Sequence, residues 1–207
     1  RRAGRADLVL PARGVEDGLA EARRICLGLG GREGEDSIPR VVRASPFTPL
    51  NNVLGPDGER WVPVHGIVAL QDGPAVHAAV TALFDRLRPR FEAGGVQTGM
   101  MLTALSTNGL LIEPVFVWPE ERRALHEATV EPHILSKLPR HAENPEVTAL
   151  IAEARAGVIE AFTSVGAAHF QIGRAYPWLD SLDEGSSRLI RAIKAELDPN
   201  NRMNPGV

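Results

Sequence analysis

Two segments with apolar residues at helical spacing, 73–95 and 144–165, bracket two apolar runs at 96–106 and 109–118 that meet at Thr107, Asn108 and Gly109. Asn-Gly between apolar runs predicts a tight hairpin, because both residues tolerate the positive φ that such a turn needs. In the first flanking segment Val76, Val80, Leu83, Phe84 and Leu87 recur at three and four residues, which puts one apolar stripe along a helix. The second carries Val147, Leu150, Ile151, Ala154, Val158, Ile159 and Phe162 on one face, with Asn144 as its cap and Pro145 in its first turn. A helix before and after a hairpin leaves few folds open, since each stripe must be buried on a sheet.

The outer strands complete that sheet. WVPVHGIVALQ at 61–71 is rich in β-branched residues and bounded by turn formers, and AAHFQIG at 167–173 is a short strand. The order strand, helix, hairpin, helix, strand is the split βαβ pattern of ferredoxin-like α+β domains, an antiparallel sheet with helices on one face. Arms extend it at both ends. At the N-terminal end, Val15–Leu29 is expected to form a helix that buries Cys26, followed by an arm of little regular structure to residue 60. At the C-terminal end, a helix over 182–197 is expected to turn Leu189, Ile190, Ile193 and Leu197 inward and to stop at Asp198-Pro199. The expected division is therefore 1–60, a core at 61–181, and a C-terminal helix and tail at 182–207.

Composition narrows the function classes. With 43% hydrophobic and 24% charged residues and a net charge of -3, the chain is globular and has no general attraction to nucleic acid or anionic membrane. No apolar run reaches the roughly 18 residues of a membrane-spanning helix. A single cysteine excludes an internal disulfide and any multi-cysteine metal site, which fits a reducing, cytoplasmic setting. The chain starts at Arg1 rather than Met, and a fragment of a longer protein is expected, with part of the active site upstream.

The tail LIRAIKAELDPNNRMNPG, residues 189–206, resembles the end of the flavin-linked oxidases of the vanillyl-alcohol oxidase and p-cresol methylhydroxylase superfamily. WVPVHG at 61–66 and GAAHFQIGRAYPW at 166–178 look like the central and late strands of the substrate domain in bacterial members. The resemblance implies a cap laid over the isoalloxazine ring of FAD, with a small substrate between cap and ring and hydride passing to the flavin. It also implies that a separate FAD-binding domain of the same protein is the cap's partner; a homo-oligomer is compatible with it. Two branches depart from this sequence. The 2-hydroxy-acid branch uses a pair of histidines on the hairpin and a Glu-His pair to hold a metal, whereas MMLTALSTNGLLIEP contains no histidine and Ala168 precedes His169, so no metal is expected. The phenol-oxidising branch uses a Tyr-Arg pair where this chain has Phe170-Gln171, with Arg174 three residues on.

On these grounds His169 and His65 are the candidate acid–base groups, because an imidazole exchanges protons near neutral pH. Gln171, Arg174 and Tyr176 are the candidate substrate contacts; Arg174 is suited to gripping a carboxylate with two parallel hydrogen bonds. Asn204 is the candidate contact to the cofactor. His77, His126, His133 and His141 have no metal-like partners in sequence and are expected at the surface, as is the short basic run Arg122-Arg123. A second reading stays open, in which the chain is a ferredoxin-like binding or interaction module without chemistry.

Overall fold

The computed structural model describes residues 12–34, 37–169, 171 and 175–205. The chain divides into two compact units at Pro49 and Leu50, so residues 50–59 belong with the sheet rather than with the N-terminal arm.

The first unit holds α1 (Ala12–Gly28) and α2 (Ser37–Ala44). α1 closes as its sequence predicts: Gly30 takes a left-handed φ of 84°, and the Gly31 amide donates to the Cys26 carbonyl at 2.9 Å. α2 corrects the expectation that this stretch lacks regular structure. Cys26 is exposed rather than buried, and so are Val15, Leu19, Val41, Val42 and Phe47.

The second unit is the α+β domain. Its sheet contains β1 (Arg60–Pro63), β2 (Gly66–Ala69), β3 (Gln97–Leu105) and β4 (Gly109–Trp118), all antiparallel, with β4 in the centre. β1 and β2 lie along the same edge of β4 in one register: Pro63 faces Val115 and Gly66 faces Ile112, which puts Val64 opposite Pro114 and His65 opposite Glu113. The single strand expected at 61–71 is therefore continuous in position. It is interrupted in hydrogen bonding because Pro114 accepts from the Val64 amide at 2.9 Å and has no N–H to return. The late strand shrinks to one bridge, in which Ile67 and Ala168 exchange two backbone bonds of 2.9 Å. The resulting spatial order, with Ala168 outside β1 and β2, then β4, then β3, is the ferredoxin-like order.

Two long helices cover one face. α3 (Gly73–Ala93) buries Val76, Val80, Leu83, Leu87 and Phe91, and α6 (Pro145–Thr163) buries Val147, Leu150, Ile151, Ala154, Val158 and Phe162. The Asn144 side chain accepts from the Val147 amide, as a cap should. These stripes meet the even-numbered side chains of the sheet, Val64, Val68, Ile112, Phe116 and Trp118. Phe84, Phe91 and Phe116 interlock edge to face, with ring centres 5.5 to 6.1 Å apart. Two glycines set the closeness of this packing. A Cβ on Gly66 would come within 2.6 Å of the Phe162 ring, and one on Gly157 within 2.9 Å of Leu83.

The connection from β4 to α6 holds two short helices, α4 (Ala124–Thr129) and α5 (Pro132–Leu135). Here two surface expectations are corrected. His126 is buried, its Nδ1 accepting from the Arg123 amide at 2.9 Å, and Arg122 is buried, donating to the carbonyls of Leu135, Leu138 and Pro139. Both side chains satisfy helix ends that the sequence pattern does not reveal.

α7 (Glu184–Leu197) begins at an Asp183 cap and buries none of its residues. Leu189, Ile193 and Leu197 are exposed instead of pointing inward. The tail beyond it is a compact loop rather than an extended arm. Asp198 accepts from the Arg202 and Met203 amides at 2.8 Å and from Lys194, while Asn201 and Asn204 take left-handed φ angles of 49° and 46°.

Candidate functional site

The odd-numbered face of the sheet carries neither α3 nor α6. Because Val64 and Pro114 form a hydrogen-bonded pair, the backbone groups of His65 point away from β4 toward the outer edge, where a fourth strand would take them up. Beyond Ala168 side chains do so instead. The His65 carbonyl accepts from His169 Nδ1 at 3.0 Å, and the His65 amide donates to the Tyr176 hydroxyl at 3.2 Å. The same hydroxyl lies 3.1 Å from His65 Nδ1.

One proton position follows from these contacts: a carbonyl only accepts, so His169 carries a proton on Nδ1. The Tyr176 oxygen accepts from the His65 amide and shares a second hydrogen bond with His65 Nδ1. The Tyr176 ring stands 4.8 Å from both imidazole centres, and Phe162 meets His169 edge-on at 6.3 Å. All three side chains are buried, at 2%, 6% and 9% exposure for His65, His169 and Tyr176. Burial, and then the neighbouring His169, hold the His65 imidazole below its usual pKa, so it stays neutral at pH 7. Burial likewise raises the Tyr176 hydroxyl, which stays protonated.

The sequence therefore names three residues that the fold brings together: His65, His169 and Tyr176. Gln171 and Asn204 do not join them. Gln171 is exposed and outside any strand. Arg174 lies outside the described residues. Asn204 is exposed on the tail loop and lines a cavity of about 550 Å³ with Trp178, Ile190, Arg191 and Met203.

A fourth group escapes a reading by motif. Glu113 stands on the open face of the central strand, directly across from His65 on one side and from Met101 on the other. Leu111 and Val115 are its same-face neighbours along β4. Glu113 forms no hydrogen bond or ion pair with any other described residue, and burial raises its carboxyl above the usual range. The signal available in sequence was one acid interrupting the apolar alternation of LLIEPVFVW. Its importance depends on the register with His65, which only the pairing supplies.

A second polar cluster has a structural account. Glu120 is buried and accepts from the Asn144 and Glu121 amides and from the Thr148 hydroxyl, at the start of α6. Burial works to raise its pKa, but these bonds and the Arg60 charge outweigh it and hold the group lowered. Arg60 in turn lies over the Trp118 ring at 4.9 Å. This cluster ties α6 to the sheet.

No group of three or more potential metal ligands occurs among the described residues, and no described helix is long and apolar enough to cross a membrane. Comparison with protein-family models, curated proteins and solved structures finds no match to this chain.

Proposed function

We propose that this chain is the substrate-covering part of an FAD-dependent oxidoreductase that oxidises a small hydroxylated molecule, the FAD being held mainly by another domain of the same protein. The observation that carries the reading is the sheet face away from α3 and α6, on which Glu113 stands across from His65, itself held by the Tyr176 hydroxyl, among Leu111, Val115, Ile67 and Met101. A planar heterocycle fits against such an apolar face, and the titratable groups stand where a substrate between face and ring needs proton transfer. When bound, FAD supplies the acceptor for hydride. The residues of this chain bind and orient the substrate, exclude water and move the hydroxyl proton.

The remaining features agree with a missing partner domain. The exposed stripe of Leu189, Ile193 and Leu197 on α7 has the i, i+4, i+8 spacing of a face meant for burial, and it is the surface expected to lie on the flavin-binding domain. The compact Asp198 loop presents Asn204 beside that stripe.

The test is spectroscopic. The full-length protein that contains this sequence, purified intact, should show the visible absorbance bands of bound flavin; a colourless protein that takes up no added FAD ends the proposal. One observation favours a second reading, a binding module without chemistry: the hydrogen bonds described for His65, His169 and Tyr176 are all internal and suffice to seal a sheet edge. Under that reading the same preparation is colourless, yet folded and stable.

A further inference from the structure

We infer that the outer edge of β3 is the surface on which two copies of this chain join, strand to strand and antiparallel, about a two-fold axis at Met101. The inference is independent of the flavin reading, because it concerns the edge of the sheet and not its open face.

Register identifies the groups on that edge. β4 bonds β1 and β2 through its even-numbered residues, as the bond from the Val64 amide to the Pro114 carbonyl shows, so its odd-numbered residues bond β3. Gln97, Gly99, Met101, Thr103 and Leu105 therefore turn their backbone groups to β4. Thr98, Met100, Leu102 and Ala104 turn theirs outward, where they bond no described residue. The side chains of Thr98, Met101, Leu102, Thr103 and Ala104 are exposed along it.

Exposed strands are ordinarily kept from pairing by charge, proline, a bulge or shortness. β3 has none of these. It runs for nine residues, QTGMMLTAL, without a charged residue or a proline, and its register with β4 is unbroken from Gln97 opposite Val117 to Leu105 opposite Gly109. The apolar layer also runs out past the edge. Leu102 shares the helix-facing side of the sheet with its partner Ile112, yet Leu102 is 48% exposed while Ile112 is fully buried. On the other side Met101 is 46% exposed. A further strand would cover both side chains.

The occupant is a second copy because the strand complements itself. A two-fold interface requires each patch to fit its own image. Antiparallel pairing centred on Met101 uses the whole strand: Met101 meets Met101, Met100 meets Leu102, Gly99 meets Thr103 and Thr98 meets Ala104 of the second copy. The outward residues then exchange hydrogen bonds with one another, and no like charges stand opposite within the strand pair. Beside the edge, the α3 residues Asp85, Arg88 and Glu92 line a groove with Val96 and Thr98. This rim carries both signs of charge, so two copies meet there without a block of one sign.

The test uses the full-length protein that contains this sequence. Its mass by light scattering at micromolar concentration should be an even multiple of one chain. Met101→Lys, which sets two ammonium groups face to face at the axis, should halve that mass. A cysteine at the axis reports the register: opposite residues of this kind have Cα atoms about 4.5 Å apart, within disulfide reach. In a Cys26→Ser background, Met101→Cys should therefore link two chains on mild oxidation, whereas Thr103→Cys, which faces Gly99, should not. Met101 is exposed, so the cysteine variant keeps the test open if the lysine variant fails to fold. A single-chain mass, a mass that Met101→Lys leaves unchanged in a folded protein, or equal linking by the two cysteine variants overturns the inference. A single-chain mass with slow hydrogen exchange at the Thr98, Met100, Leu102 and Ala104 amides means that another strand of the same polypeptide holds the edge, which overturns it as well.

Discussion

The Tyr176 hydroxyl bridges the backbone amide and the Nδ1 of His65, at 3.2 and 3.1 Å, across 111 residues of sequence. One oxygen thus occupies the place of a strand's carbonyl and holds the imidazole ring at the same time. Removing it in Tyr176→Phe keeps the ring and leaves a buried amide without its acceptor. The expected loss is about 1 to 3 kcal/mol, read as a lower urea midpoint at unchanged slope. A midpoint equal to wild type would show that the bridge contributes nothing.

Acidification should weaken the fold through its buried histidines. Burial, then His169, lowers His65; burial, then Arg60, Arg123 and Arg122, lowers His126. The unfolded chain therefore takes up protons first, so stability is intact above the ordinary imidazole value of about 6.5 and declines as pH falls below it. Glu113, raised by burial, works in the opposite sense at lower pH. Because Gln can still accept from the Arg123 amide, His126→Gln isolates one contribution. Urea midpoints at pH 7.5 and 5.5 should differ less in that variant than in the wild type, and an equal difference counts against the assignment.

Close packing at Gly66 predicts intolerance of a single methyl group. A Cβ there would stand 2.6 Å from the Phe162 ring, which is fully buried and has no room to retreat. Gly66→Ala should cost about 1 to 3 kcal/mol. Ala at Gly18 of α1, where nothing stands within 4 Å, is the control that should not destabilise.

The tail loop depends on one carboxylate. The hydrogen bond from Lys194, followed by those from the Arg202 and Met203 amides, holds Asp198 at a pKa of about 2. A depressed carboxyl stabilises above its unfolded value of about 3.9, and that contribution disappears as pH falls through 2. Amide signals of Arg202 and Met203 should therefore stay in place down to about pH 3 and move together below it. Asp198→Ala should expose both amides to rapid hydrogen exchange at neutral pH.

Much of this domain is legible in the sequence because its signals are periodic. The stripes of α3 and α6 carry their own spacing and formed where it put them; the hairpin formed as well, but its turn is 106–108, with the left-handed φ of 56° on Ser106 and with Gly109, already in β4, paired with Leu105. The single strand at 61–71 was readable as a line but not as a hydrogen-bonding pattern, since its interruption is caused by Pro114, about 50 residues away in sequence. Among the site residues, His65, His169 and Tyr176 could be named from the chain, but not the way they meet. Glu113 was invisible for a related reason: its significance comes from its cross-strand partner, and pairing partners are not written in local periodicity. The inward turn expected for α7 failed because amphipathic spacing reports that a face is made for burial without saying against what.

Strand edges invite other strands. The row of unpaired amides and carbonyls along an outer strand is a template on which another molecule can add itself, and proteins protect such rows with charge, proline or cover. Here the row continues past Ala168 for one more residue, and two aromatic side chains close it: His169 on the carbonyl of His65, Tyr176 on its amide. The ring pair thus covers the last open rung of this edge, so stripping it away would bare one more amide and one more carbonyl to an incoming strand.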